Sequence, residues 1–367
     1  MQAGADLQAE GFFTLPGWAH DDHAAAYTAF RRSAFRALEK PYRTGSLGIE
    51  AAAFEPAFEA ARTVSAPSRP EARAFFETHF RPVLVAPYGG GAGFVTGFYE
   101  PAARASPVPT LEFGVPLYRR PDDLVDLVDA TRPADMDPYF AFGRETDAGI
   151  VEYFDRGEIE RGALAGRALE CAWLADKVDV FFIHVQGAAR LVMPDGTERR
   201  VTYAAKSGHP FTGAGRVLVE KGELAQAAVT MQSIRAWFRD HPDRIDEILW
   251  RNRSFIFFRE APVDDPALGP VAAAKVPLTA GRSMAVDRLV HTFATPFFVD
   301  APTLTAFGGD RFSRLMIAQD TGSAIVGPAR GDLFAGSGDA AGDIAGAIRH
   351  PASFHMLVPA ALGERFT

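Results

Sequence analysis

Near the C-terminus an apolar run ends in an acid: residues 312–327 read FSRLMIAQDTGSAIVG, so Asp320 falls where a buried strand is expected to stop and a turn to begin. A carboxylate there either ties down the turn by bonding nearby backbone amides or is kept for chemistry. The chemistry open to it is acid catalysis. Glycosidic bonds are broken by positioned carboxyl groups, one of them protonated near neutral pH, which requires partial burial. Asp287 in AVDRL and Asp332 in RGDLF are two further acids in β-rich, glycine-flanked settings. Taken singly, each reads as structural.

Competing chemistries lack their residues. The glycines at 89–91 and 93 are not followed by the Lys-Ser/Thr of a phosphate loop, and Gly213-Ala214-Gly215 misses the third glycine of a dinucleotide fingerprint. No Gly-x-Ser-x-Gly elbow occurs. The nine histidines are scattered, and His20 and His23 beside Asp21 and Asp22 read as a solvated helix start rather than ligands. Neither a cofactor nor a metal is expected. A formal charge of −8 without any Lys/Arg-rich run argues against nucleic acid as a partner. The lone Cys171 excludes an intrachain disulfide. No stretch approaches the length of an apolar membrane helix. The N-terminus shows no basic-then-apolar leader, so the sequence reads either as cytoplasmic or as an exported form without its leader.

The elements that must position these acids follow from pattern. DDHAAAYTAFRRSAFRALEK (21–40) has an Asp cap and apolar residues near a 3.6 period, and PSRPEARAFFETHF (67–80) carries Ser68 and Glu71 at capping-box spacing. RPVLVAPYGGGAGFVTGFYEP (81–101) reads as strands about a turn. From 102 to 220 short strands and loops are expected, including two apolar-rich strands within DVFFIHVQGAARLVMPDGTERRVTYAA that flank the turn at Pro194-Asp195-Gly196. Helices return at 222–252, and a β-rich block runs from 254 to 359. This order fits a middle domain inserted into a discontinuous first one. Ligand sites favour such junctions.

Seven blocks then carry a resemblance. TGFYEP (96–101), the stretches 158–191 and 203–222, MQSIRAWF (231–238), RNRSFIFFRE (251–260), VPLTAGRSMAVDR (276–288) and AQDTGSAIVG with RGDLFAGSG (330–338) occur in the order found in the lytic transglycosylase family of membrane-bound lytic murein transglycosylase A, which this sequence resembles. The last block is similar to the "3D" module, named for three aspartates that map to Asp287, Asp320 and Asp332. The resemblance implies a mainly β protein with flanking helices. A double-psi β-barrel domain would be built from 1–103 and 240–367, with a second β-barrel-like domain inserted at 104–239 and a glycan groove between them. It also implies cleavage of the MurNAc–GlcNAc β-1,4 bond of peptidoglycan without water, leaving a 1,6-anhydro end. The alternatives are a hydrolytic muramidase using Asp320 with Glu100 or Asp332, and a glycan-binding protein that has lost catalysis.

On this reading Asp320 is the single general acid/base, Asp332 orients or tunes it, and Asp287 does the same or holds a loop. Glu100 is the rival acid, favoured as salt-bridged or substrate-orienting. Thr96, Phe98, Tyr99, Gln186, Lys206, Ser207, His209, Thr321 and Gly322 lie in the matching stretches as substrate contacts, and Lys206 or Arg190 would meet substrate carboxylates. Implied partners are peptidoglycan glycan strands and cell-wall synthesis or division proteins. The implied location is the periplasm, with attachment to the outer membrane left open because no lipobox cysteine is visible. The sequence departs from the family at Ser323, where a glycine is usual, and at Val326, where a lysine often stands. It departs again at Ala188-Ala189 and at Phe98.

Overall fold

The structure is a computed structural model describing residues 4–87, 89–262 and 264–366. The chain forms two compact units: residues up to Tyr99 with those from Asp265 onward, and Glu100–Asp264 between them. The inserted unit thus extends past residue 239, where the sequence reading ended it. The reason is strand pairing: Ile256–Ala261 lies antiparallel to Glu198–Lys206, with Lys206 opposite Ile256.

In the first unit eight strands run in the order Ala5–Ala9, Phe80–Pro87, Arg349–Pro359, Pro296–Ala301, Phe312–Asp320, Ser283–Val286, Arg330–Ser337, Gly93–Glu100. The last pairs back onto Arg349–Pro359, with Thr96 opposite Arg349. Six strands therefore close into a barrel, which removes their free edges. One neighbouring pair, Ser283–Val286 with Phe312–Asp320, is parallel. The barrel strands bury both faces, as in LMIA at 315–318 and FFV at 297–299, so they read as apolar runs rather than alternations.

Helices cover this barrel. His23–Glu39 is capped by Asp22, whose side chain accepts from the Ala25 amide at 3.2 Å. It buries Ala26, Tyr27, Phe30, Ala34 and Ala37, one face at helical spacing. Arg69–His79 starts with the expected capping box, the Ser68 amide donating to Glu71 at 2.8 Å. Helix Asp339–Gly346 lies against TGFYEP. A Cβ on Gly97 would meet backbone of Ala345 at 2.8 Å, and one on Gly342 would meet the Tyr99 ring at 2.9 Å. Both glycines are required by close approach, not by backbone angle.

The main sheet of the inserted unit has six strands in the order Ile256–Ala261, Glu198–Lys206, Ala188–Val192, Ala102–Ser106, Glu170–Leu174, Val115–Tyr118, and a separate three-stranded sheet is formed by Leu124–Asp126, Phe142–Thr146 and Gly149–Val151. A bridge between Arg119 and Phe258 joins the two ends, giving the barrel-like sheet that the resemblance implies. One element differs from the sequence reading. DVFFIHVQ is not a strand but part of helix Lys177–Gln186, capped by Asp176 and stopped at Gly187 in the left-handed region. Val178, Val180, Phe181, Phe182, Ile183 and His184 are all buried. A helix buried on nearly every side loses its periodicity and imitates a core strand. The turn at Pro194-Asp195-Gly196 does join two strands, with Ala188 opposite Thr202.

Candidate active site

Asp320 owes its position to a register break. Met284 pairs with Ala318, but Ala285 pairs with Asp320, so Gln319 is the extra residue of a bulge. Without the bulge the strand end would present its opposite face. Gln319 is wholly buried. Its Oε1 accepts from Ser283 Oγ at 2.5 Å, and its Nε2 donates to the Ala29 carbonyl at 2.8 Å and Ser33 Oγ at 2.7 Å. Every polar atom of the amide is thus used to turn the following carboxyl the other way.

Ala285 is also opposite Asp332 on the other neighbouring strand. The two acids therefore flank one small residue, two inter-strand spacings apart, or about 10 Å between Cα atoms. Asp332 accepts a short hydrogen bond from the Thr96 hydroxyl, which in turn accepts from Arg330 Nη2 at 2.7 Å. Burial pushes the Asp332 carboxyl up, against the opposing pull of the Thr96 bond and the Arg330 charge.

Asp320 keeps part of its surface open to solvent yet lies deep among protein atoms. That burial is the largest cause raising its carboxyl from the ordinary 3.8 to about 6, and the Asp332 charge adds to it. Opposing it are hydrogen bonds from the Thr321 and Ala273 amides, the latter 3.2 Å from Oδ1, and the charge of Lys275. A carboxyl that titrates near 6 is part protonated at neutral pH and can both donate and accept a proton, as a general acid/base must.

Asp287 is tied to backbone. It is buried, with one oxygen accepting from the Leu289 amide at 3.0 Å and the other from the Gly327 amide at 2.8 Å. It thereby pins the loop that carries Thr321 and Gly322, both of which are half-buried beside Asp320. Phe98 is half-buried with its ring 5.2 Å from that of Phe334, and Tyr99 is packed on Gly342.

The remaining sequence candidates belong to the inserted unit. Glu100 is fully buried and accepts from Arg190 Nε at 2.9 Å, Arg200 Nε at 2.6 Å and Arg200 Nη2 at 3.2 Å. With guanidinium groups on both oxygens it is a brace between the strands that carry Arg190 and Arg200. Ser207 is buried, its Oγ accepting from the Phe255 amide at 3.1 Å. His209 is buried with Nε2 2.7 Å from the Tyr153 carbonyl. Both side chains serve the interior. Lys206 is half-buried, its ammonium 5.0 Å from the Tyr139 ring centre, and Gln186 is the half-buried last residue of its helix.

Sequence reasoning missed Gln319, Arg330 and the hairpin at 271–277. Only the first left a signal, two adjacent polar residues ending an apolar strand. The hairpin contacts Asp320 across 47 positions of chain. Among the described residues no group of acids, histidines and cysteine is arranged to hold a metal.

Comparison with known proteins places the arrangement. Residues 94–259 match the model of the MltA specific insert domain and residues 282–358 that of the 3D domain. The crystal structure of a membrane-bound lytic murein transglycosylase from Agrobacterium tumefaciens is 50% identical, with a TM-score of 0.93 over 99% of this chain and 100% of that one. MltA from Neisseria gonorrhoeae is 32% identical, with a TM-score of 0.80 over 98% of this chain and 94% of that one. The curated membrane-bound lytic murein transglycosylase A of Escherichia coli is 31% identical over 261 residues, 70% of this chain and 62% of the relative, so the match spans less than two thirds of the relative's length. With its insert domain, its three-aspartate module and near-complete superposition on solved members, the chain belongs to the family of membrane-bound lytic murein transglycosylase A.

Proposed function

We propose that this chain is a lytic transglycosylase that cleaves the MurNAc–GlcNAc β-1,4 bond of peptidoglycan, with Asp320 as its single acid/base. The observation that carries the reading is the raised carboxyl of Asp320, turned out of the barrel by the Gln319 bulge. Family membership supplies the substrate class. Asp320 donates its proton to the glycosidic oxygen as the bond from C1 breaks. The carboxylate then takes the proton from the C6 hydroxyl of the same sugar as O6 bonds to C1, which restores the acid. Because the nucleophile is already in the substrate, at high effective concentration, no second carboxylate has to activate water.

Asp332, fixed by Thr96 and Arg330, keeps Asp320 protonated by like-charge repulsion. Asp287 is a positioning residue that shapes the loop bearing Thr321 and Gly322. Thr321, Gly322 and Phe98 are assigned to the wall that the sugar meets. The substrate belongs to the cell envelope, so the enzyme works in the periplasm, and its relatives are named as membrane-bound. Among the described residues no helix is long and apolar enough to cross a membrane.

The second reading uses water. Inverting hydrolases use a second carboxyl group to activate water, and Asp332 is the acid that the Ala285 register brings nearest in the barrel to Asp320. Mass spectrometry of muropeptides released from purified sacculi separates the two. Anhydro ends, about 18 Da lighter than the reducing ends of a muramidase, are expected from the wild type and not from Asp320→Ala. Reducing ends would overturn the transglycosylase reading, and undiminished release by the variant would overturn the assignment of Asp320.

A further inference from the structure

The hairpin over Asp320 contains a residue with no part in the barrel. Val271 bridges to Pro277, and the Ala272 amide donates to the Val276 carbonyl at 3.0 Å. At its tip the Lys275 amide donates to the Ala272 carbonyl at 2.9 Å. The tip is clamped to the end of the Asp320 strand three ways. The Ala273 amide donates to the Asp320 carboxyl, the Ala274 amide to the Gln319 carbonyl at 3.0 Å, and the Tyr42 hydroxyl to the Ala274 carbonyl at 2.8 Å. Lys275 itself sits at φ +62°, a left-handed conformation in which a side chain costs about 1 kcal/mol. Its side chain is exposed and its ammonium makes no ion pair among the described residues. The charges acting on Asp320 are Lys275 from the hairpin and Asp332 from the barrel, with Arg330 acting in turn on Asp332. Val326, on the other side of the acid in sequence, is 69% exposed and carries no charge.

We propose that Lys275 is a specificity-determining residue that binds a carboxylate on the peptide borne by the glycan and so couples recognition of that peptide to the state of Asp320. This rests on the transglycosylase reading above. This exposed cation on a strained, clamped tip beside the Asp320 strand makes no ion pair among the described residues. Chitin-like glycans lack such a carboxylate, whereas peptide-bearing glycans present one. When a substrate carboxylate takes up the ammonium, the cation's pull on Asp320 is reduced and the carboxyl keeps its proton for the leaving oxygen. The ion pair is solvent-exposed and is expected to be worth up to about fivefold in binding.

The test uses soluble uncross-linked peptidoglycan strands, as prepared and with their carboxyl groups converted to primary amides. For the wild type, amidation raises the apparent KM by about fivefold. Lys275→Met has the higher KM on both substrates, and its pH–rate limb lies a few tenths of a pH unit above that of the wild type on amidated strands. Lys275→Arg restores the preference for charged strands. Lys275→Gly, which relieves the backbone, behaves as Lys275→Met in KM while melting no lower than wild type, which separates loss of charge from loss of fold. Equal discrimination by wild type and Lys275→Met overturns the proposal while leaving Asp320 in place. Full activity of Asp320→Asn on both substrates would instead overturn the reading beneath it.

Discussion

Replacing Asp320 by Asn should make the protein more stable at neutral pH, although it removes the acid. The folded carboxyl titrates at about 6 against an ordinary 3.8. A carboxyl raised by folding contributes its full stability below the unfolded value, and that stability is lost as pH rises through the folded value. The difference between the two values corresponds to about 3 kcal/mol as an upper limit. Asp320 retains some contact with solvent, so about 1–3 kcal/mol is expected. Asn has nearly the same shape, accepts from the Ala273 amide through its oxygen, and does not titrate. Urea denaturation at constant ionic strength, at pH 4 and at pH 8, gives the comparison. The variant should gain little at pH 4 and the full increment at pH 8. Other titrating groups change alike in both proteins and cancel. An increment independent of pH, or a variant less stable than wild type at pH 8, would refute the claim that Asp320 is ionised there at a cost.

The same carboxyl governs turnover. With Asp320 as the proton donor, kcat/KM should fall as pH rises above about 6, and a rate that climbs through pH 8 would exclude the role. Gln319→Ala removes three hydrogen bonds, including those to Ser283 and Ser33, costing about 2–4 kcal/mol; kcat of the folded fraction should drop more than KM changes, read from kinetics corrected by near-ultraviolet circular dichroism. Glu100→Ala removes the carboxylate that Arg190 and Arg200 share in the interior of the inserted unit, at about 3–5 kcal/mol, seen in melting. Were Glu100 the proton donor, the Gln variant would also lose its anhydro products while remaining folded.

What could be read from sequence was whatever is encoded locally. The caps at Asp22 and Ser68, the turn at Pro194-Asp195-Gly196 and the acid ending an apolar strand each depend on residues within four positions. DVFFIHVQ misled because burial on all sides erases the amphipathic stripe that distinguishes helix from strand. The resemblance had named Asp332 beside Asp320, but the contacts that join Asp320 to its partners are set by register and could not be read from the sequence. Asp332 reaches it through Ala285, Thr96 reaches Asp332 from 236 residues away, and Ala273 belongs to a hairpin with no motif of its own. Ser207 and His209, named from a matching stretch, are both buried with their side chains bonded to backbone within the inserted unit.

The first unit is written in two halves, and its barrel closes only when Arg349–Pro359 pairs with Gly93–Glu100. Contacts so distant along the chain form late and slowly. Thr96 emerges during synthesis long before Asp332, its hydrogen-bond partner 236 residues on. The Asp320–Asp332–Thr96 arrangement is therefore one of the later features of the first unit to form, after the whole of Glu100–Asp264 has been made.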